Sequence, residues 1–166
     1  MNDTLEEKED KRRLAGTDAQ LLLDSIIPYQ INLLSYRMNR LLDQDLRAQG
    51  MSISVWRIMA VLDYSSAMNV KDLAQYAMIE QSTLSRMLKK LVADGLVENR
   101  RSGGDGRVHA ITLTESGRQR YHTIRDVALA HVGRITRGFS AKERAQLAQY
   151  VKRMQQNLEG TELDAP

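Results

Sequence analysis

The sequence of 166 residues contains no cysteine. This absence excludes disulfides, zinc–thiolate sites, iron–sulfur clusters and thiol redox sensing. Only two prolines and one phenylalanine occur, and no apolar run approaches the roughly 18 residues that cross a bilayer. The N-terminus, MNDTLEEKEDKRR, lacks the basic start and apolar centre of a signal peptide. Together these absences predict a cytoplasmic protein with no membrane partner.

The residues that are plentiful favour helices. Leucine, alanine, arginine, glutamine and methionine are all good helix formers. The length suits one domain with a sizeable core. Because the formal net charge is only +3, the placement of the charges matters more than their sum.

Hydrophobic periodicity divides the chain into two tails and one domain. Residues 1–18 are polar and aperiodic, which predicts a flexible tail, and residues 161–166 are predicted to be frayed. The domain, 19–160, begins with a helix up to Gly50 that Pro28 kinks or restarts.

Capping residues mark the later helices. The second helix is predicted to begin at Ser52 or Ser54, the third at Asn69, the fifth at Thr114 and the sixth at Ser140. The fourth runs from Gln81 to Asp94, and its apolar stripe consists of Leu84, Met87, Leu88, Leu91 and Val92.

A β-hairpin is predicted between the fourth and fifth helices. Residues 96–100 and 108–113 are short strand candidates on either side of a glycine-rich loop. Two strands are too few for a sheet protein, so the hairpin must pack against helices. The fold class is therefore mainly α with a small hairpin.

The fourth helix has a polar face opposite its apolar stripe. Small hydroxyl side chains near the N-terminus of a helix can approach phosphates and base edges, and that N-terminus favours phosphate. Arg86 can bond both O6 and N7 of a guanine, whereas lysines suit phosphates. An ordinary solvated face is the other interpretation. The candidate DNA contacts of this helix are Gln81, Ser82, Thr83, Ser85, Arg86, Lys89 and Lys90.

The loop of the hairpin carries the second group of candidate DNA contacts. Arg100, Arg101 and Arg107 surround glycines that allow a close approach, and a narrow minor groove attracts arginine. Asp105 is spaced to orient Arg107 from two residues away. A tight hairpin with incidental charges is the alternative.

In this order the motifs resemble the MarR family of winged helix-turn-helix regulators. The matching segments are ISVWRIMAVL, VKDLAQYAMIEQSTLSRMLKKLVADGLVENRRS and GGDGRVHAITLTESG, within about Leu33 to Leu158. The family's loop often has the pattern D-R-R or D-x-R, and here Gly106 stands in the middle. This departure removes one possible arginine contact.

The resemblance implies a sequence-specific transcriptional regulator that binds double-stranded DNA as a homodimer. Its DNA-binding lobe would be residues 52–113, and 19–50 with 114–160 would form the dimerisation helices. Release by a small ligand and a repressor role are the functional expectations. Packing of the apolar stripes within one chain is the alternative to dimerisation. The candidate dimerisation residues are Leu22, Ile26, Leu147, Val151, Met154 and Leu158.

The resemblance also implies an effector site beside the dimer helices. Tyr29, Tyr36, Trp56 and Arg57 are the candidates for a small aromatic or anionic molecule. Tyr29 and Tyr36 are seven residues apart and share a helix face. A place in the core is the alternative for such an aromatic pair.

An enzyme is one alternative function. For an enzyme, no phosphate-binding loop or nucleophile elbow is present, and His122 and His131 point to opposite helix faces and cannot share a metal. The sequence therefore predicts no catalytic residue, no metal and no cofactor. A winged-helix protein-interaction module without specific DNA binding is the other alternative, but it would not require Arg86, Lys89, Arg101 and Arg107 on one side.

Two substitutions test the loop. Arg107→Ala is expected to weaken binding to all DNA sequences, because one cation close to the phosphates is lost. The dependence of log affinity on log salt concentration, the salt slope, should fall by about one unit. Asp105→Ala is also expected to weaken binding, although it removes a negative charge. Salt-titrated mobility shifts measure both effects. Tighter binding by Asp105→Ala would contradict the orienting role.

Overall fold

The computed structural model describes residues 23–102 and 108–159. This part of the chain is helical apart from one two-stranded antiparallel sheet, which confirms the predicted fold class. None of its helices has the length and apolar character that a membrane crossing requires. The elements in order are α1 (Ile27–Arg47), α2 (Ile53–Ser65), α3 (Val70–Ala77), α4 (Gln81–Ala93), β1 (Val97–Ser102), β2 (Val108–Leu113), α5 (Glu115–Ile135) and α6 (Ala141–Leu158).

The chain divides into two compact units within α5. The first unit, Met1–Val127, contains α1 to α4, the hairpin and most of α5. The second unit, Ala128–Pro166, contains the end of α5 and α6. The domain boundaries expected from the sequence stay a prediction.

The helix starts follow the local sequence. Pro28 lies in the first turn of α1, after an extended Ile26, so the helix restarts there as predicted. The side chain of Ser52 accepts a hydrogen bond from the Val55 amide at 3.3 Å, which selects it over Ser54 as the cap of α2. Asn69 and Ser140 cap α3 and α6 in the same way.

The core of the first unit is made where the helices cross. Leu46 of α1, Met59 of α2, Leu73 of α3 and Leu84 of α4 are fully buried. The predicted stripe of α4 is wrong in one position, because Val92 is 46% exposed. Val92 is the second-last residue of α4, and the residues that follow it up to Gly95 are exposed as well.

The hairpin packs against helices, as its small size requires. In its register Val97 faces Leu113 and Ser102 faces Val108, so β1 begins one residue later and ends two residues later than predicted. Met68, between α2 and α3, adds a third strand-like contact, since it exchanges backbone hydrogen bonds of 3.1 and 2.8 Å with Ile111. This bridge ties the hairpin to the helices.

A close junction joins the end of α4 to the start of α5. The hydroxyls of Thr114 and Ser116 both donate to the carbonyl of Gly95, at 2.6 and 2.8 Å. The Thr114 hydroxyl also accepts from the Gly117 amide at 3.0 Å, which confirms the predicted cap of α5. A Cβ at Gly117 would overlap the carbonyl oxygen of Leu96, so the backbones meet at a distance that only glycine permits.

Gly117→Ala is therefore expected to lower the free energy of unfolding by about 1–3 kcal/mol, because the added methyl group forces two backbones apart. Gly133→Ala is the matched control, since a Cβ there meets nothing within 4 Å and alanine favours an exposed helix by about 0.5–1 kcal/mol. Urea denaturation of both variants gives the comparison. Equal stability of the two alanine variants would show that the junction can relax.

Candidate nucleic-acid interface

Helices α3 and α4 form a helix-turn-helix whose turn is Met78, Ile79 and Glu80. Met78 adopts the left-handed conformation, with φ 55°, and the Ile79 amide donates to the Ala74 carbonyl at 3.0 Å. Glycine or asparagine is the usual residue in this conformation. A methionine in this position carries no sequence signal for the shape of the turn.

The two faces of α4 differ in burial and in charge. Leu84, Leu88 and Leu91 are buried and fix the helix in the first unit. The predicted DNA contacts lie on the remaining surface, where Thr83 is half-buried and the others are exposed. Those exposed residues are Gln81, Ser82, Ser85, Arg86, Lys89 and Lys90. The structure thus brings all seven together on one helix.

Arg86 is oriented by its own helix. Its guanidinium donates to the Thr83 hydroxyl at 3.2 Å, while Ser85 donates its hydroxyl to the Gln81 carbonyl at 2.8 Å. Thr83 therefore holds the guanidinium group of Arg86 over the preceding turn of the helix. The other N–H groups of a guanidinium suit a base edge or a phosphate.

Glu80 caps the N-terminus of α4, a role that the sequence did not predict. As the N-cap of α4, its carboxylate accepts the amides of Ser82 and Thr83, both at 2.9 Å, and also the Ser82 hydroxyl. The expected phosphate site at this N-terminus is thus occupied by a carboxylate of the chain itself. Glutamate is not a preferred N-cap residue, so sequence preference did not identify it.

The same contacts change the acidity of Glu80. The hydrogen bonds from the Ser82 hydroxyl and from the Ser82 and Thr83 amides lower the pKa of this carboxyl from 4.5 to about 2. Glu80 therefore carries its negative charge throughout the ordinary pH range. It makes the first turn of α4 unfavourable for phosphate and leaves Arg86, Lys89 and Lys90 as the cationic groups of the helix.

Part of the hairpin loop lies outside the described residues. This applies to Asp105 and Arg107, and Arg101 is described only through its backbone, which pairs with His109 in the hairpin. Arg100 is paired within the chain, since its guanidinium lies 2.6 Å from the Glu98 carboxylate. The side chain of Arg100 is thus already engaged by an acid on the same strand.

The predicted effector residues lie on α1 and α2. Arg57 donates to the Asn39 side chain at 2.9 Å and so links these helices. The buried indole Nε1 of Trp56 has no hydrogen-bond partner among the described residues. Tyr29 is half-buried and Tyr36 is exposed. Across the described ranges, no hydrogen bond or ring contact joins these four predicted residues to one another.

The predicted dimerisation residues are apolar and exposed where they are described. Ile26 precedes α1, and Leu22 lies outside the described residues. On α6, every residue is exposed, including the four apolar ones of the predicted stripe: Leu147, Val151, Met154 and Leu158. A chain on its own therefore presents an uncovered apolar stripe on α6.

The histidines of α5 do not form a metal centre. His122 is exposed and lies 3.8 Å from the Asp63 carboxylate, which Arg118 also approaches at 3.3 Å. His131 is buried. Among the described residues, no three histidine, aspartate or glutamate side chains lie together in a group that could hold a metal ion.

Comparison with known proteins identifies this architecture. A sequence model of the MarR family matches residues 49–108. A solved MarR-family transcriptional regulator from Silicibacter pomeroyi is 31% identical to this chain, with a TM-score of 0.76, and the match covers 87% of this chain and 98% of that one. The chain belongs to the MarR family. It is a DNA-binding transcriptional regulator with the winged helix-turn-helix fold.

A repressor and an activator of transcription are both similar in sequence to this chain. The transcriptional repressor IacR from Pseudomonas putida is 23% identical over 123 residues, 74% of each chain. The transcriptional activatory protein BadR from Rhodopseudomonas palustris is 22% identical over 155 residues, 89% of each chain. The similarity to both supports regulation of transcription without fixing its sign.

In this MarR-family protein, Glu80→Gln is expected to remove a pH-dependent part of the stability. Because the folded pKa of Glu80 is lowered from 4.5 to about 2, its contribution is fully present above pH 4.5 and is lost as the pH falls through about 2. The variant should therefore be less stable than the original at pH 7, and the difference should shrink towards pH 2.

Urea denaturation midpoints of the original and the Glu80→Gln chain, measured from pH 7 to pH 2, test this expectation. The original protein at the lowest pH serves as the control, since its Glu80 is then protonated. A difference in stability that stays constant across this range would show that the carboxylate charge is not what caps α4.

Proposed function

We propose that this protein is a repressor that binds a pseudo-palindromic operator as a homodimer and leaves it when a small ligand binds. The observation that carries the DNA-binding part is the exposed polar face of α4, where Arg86, Lys89 and Lys90 lie opposite three buried leucines. An α-helix fits the major groove, and arginine is the commonest side chain to bond a guanine edge there.

The residues of α4 divide by role. Arg86, oriented by Thr83, is proposed to contact base edges, whereas Lys89 and Lys90 are proposed to neutralise phosphates. Since Glu80 occupies the first amides of the helix, phosphate binding falls to the lysines rather than to the helix N-terminus. Gln81, Ser82 and Ser85 complete the proposed surface.

The hairpin loop is proposed to enter the adjacent minor groove. Arg101, Asp105 and Arg107 carry this part of the proposal on sequence grounds alone. The strands on either side of the loop support this part of the proposal, because β1 continues to Ser102 and β2 begins at Val108. The loop connects the two strands at the end of the hairpin opposite to Val97 and Leu113, which are buried.

Dimerisation is proposed through the apolar surfaces that a single chain leaves exposed. The stripe on α6 supports it, as does the exposed apolar surface of α1 at Ile27, Ile31 and Leu34. MarR-family proteins act as dimers, and contiguous exposed apolar surface in a soluble chain usually marks an interface. Two copies would then present two α4 helices to successive major grooves.

The similarity to the repressor IacR supports the repressor role. The similarity to the activatory protein BadR makes activation of transcription the alternative that an experiment must distinguish. A reporter gene placed under an operator selected from genomic DNA distinguishes the two. Expression that rises when the protein is absent supports repression, and expression that falls supports activation. A protein that retains no genomic fragment would instead favour a protein-interaction module.

Two alanine variants test the proposed roles on α4. Arg86→Ala should cost about 1–3 kcal/mol on the selected operator and relax the base preference at one position, because a bidentate base contact is lost. Lys89→Ala is the matched control on the same helix face. It should weaken binding to all sequences alike and lower the salt slope by about one unit.

Mobility shifts on the operator and on unrelated DNA, each at several salt concentrations, give both quantities for each variant. An equal loss on all sequences for Arg86→Ala would reassign this residue from base recognition to phosphate contact. An unchanged affinity for both variants would remove α4 from the interface.

A further inference from the structure

The carboxylate that caps α4 keeps acceptor capacity on its exposed side. Oε1 of Glu80 accepts the Ser82 amide at 2.9 Å, while Oε2 accepts the Thr83 amide at 2.9 Å and the Ser82 hydroxyl. An ionised carboxylate has about four lone-pair positions on its two oxygens. Because Glu80 is exposed, its carboxylate can accept a further donor from outside the chain, most directly at Oε1.

Thr83 links this carboxylate to Arg86. The Thr83 amide donates to Glu80, and the Thr83 hydroxyl accepts from the Arg86 guanidinium at 3.2 Å. The Ser82 hydroxyl, on the exposed face of α4, also donates to Glu80. An acceptor and a cationic donor are thus held together at the N-terminal end of this face, which is the end of a recognition helix that contacts base edges.

The chemistry of Glu80 restricts which base edge it can contact. Capping alone favours serine, asparagine or aspartate, whereas glutamate has one more methylene group than aspartate and reaches further. The hydrogen bonds from Ser82 and Thr83 hold the pKa of Glu80 at about 2, so the group accepts and does not donate at ordinary pH. In the major groove its partners are therefore the amino groups of cytosine and adenine.

Of these two bases, cytosine suits a carboxylate better. Adenine presents the acceptor N7 beside its N6 amino group, and that acceptor repels a carboxylate. Cytosine presents its N4 amino group with no acceptor beside it on the same base, and its guanine partner presents O6 and N7. Those two atoms suit the guanidinium of Arg86, so a carboxylate next to a guanidinium is complementary to a C·G pair.

We propose that Glu80 determines sequence specificity by accepting a hydrogen bond from N4 of a cytosine, at or beside the base pair whose guanine Arg86 contacts. The assignment rests on the proposed function, because it requires α4 in the major groove, and it adds a residue and a base to that function. Repulsion between this carboxylate and the phosphates weakens binding to every sequence. The cytosine contact offsets that loss only at the operator, so Glu80 widens the difference between operator and unrelated DNA.

Selection of binding sites from random DNA, followed by mobility shifts, tests the assignment. Glu80→Gln is expected to change the preference at one position of each half-site from cytosine to adenine, because glutamine bonds both N6 and N7 of adenine. The change in relative affinity should be about tenfold. Glu80→Asp keeps the charge and is a preferred cap, but its shorter side chain should lose the cytosine preference.

Asp94→Asn is the matched charge control. Asp94 is exposed and caps the opposite end of α4, so this variant changes the net charge by the same amount as Glu80→Gln without touching the N-terminus of the helix. It should leave the base preference at every position unchanged. Thermal denaturation of each variant shows that it is folded.

A modified operator tests the contact in the original chain, so this measurement does not depend on the stability of a variant. N4-methylcytosine pairs with guanine but carries a methyl group in place of the free N4–H in the groove. At the identified position it should weaken binding of the original chain about tenfold, because a hydrogen bond to a charged group is lost. It should have little effect on the Glu80→Gln chain. 5-Methylcytosine, which keeps the N4–H, is the control and should leave the affinity of the original chain nearly unchanged.

An unchanged base preference after Glu80→Gln, together with tighter binding to all sequences, would overturn the proposal and reduce Glu80 to a group that repels phosphate. If Arg86→Ala still relaxed the guanine preference in that case, the proposed function of α4 would stand. An equal change of preference after Asp94→Asn would also overturn the proposal, since net charge would then be the cause. A chain that selects no DNA sequence would contradict the proposed function together with this assignment.

Discussion

The approach of the α5 backbone to the end of α4 is the constraint on which the proposed DNA-binding surface depends. At Gly117 the helix passes so close to the Leu96 carbonyl that a side chain has no room. The hydroxyls of Thr114 and Ser116 close the same junction by binding the Gly95 carbonyl. Since α4 ends and β1 begins here, this one contact orients both the recognition helix and the hairpin with respect to α5.

Helix α4 carries a negative charge at its N-terminus and positive charges only further along. Glu80 satisfies the first amides of α4 and keeps its carboxylate ionised, so the end of the helix that would attract a phosphate carries a negative charge instead. The positive groups begin at Arg86, one and a half turns later. In the proposed DNA complex, such a division limits indiscriminate attraction to phosphate and assigns the contacts of α4 to a few side chains.

Local signals in the sequence predicted most of the fold, but contacts between distant residues were not predictable. Pro28, Ser52 and Ser140 mark helix starts because their preferences act within one turn. The bridge between Met68 and Ile111 depends on chain packing across more than forty residues, and no local pattern encodes it. The α4 surface followed from periodicity, whereas the Glu80 cap did not, because glutamate rarely fills that position.

In the proposed complex, two copies of the chain place their α4 helices in successive major grooves. Hydroxyl-radical footprinting on a selected operator tests it, alongside a chain in which Leu147 and Val151 on α6 are both replaced by glutamate. The account predicts two protected segments whose centres lie about 10 base pairs apart, and the loss of this paired pattern in the variant. A single protected segment that the variant leaves unchanged would contradict it.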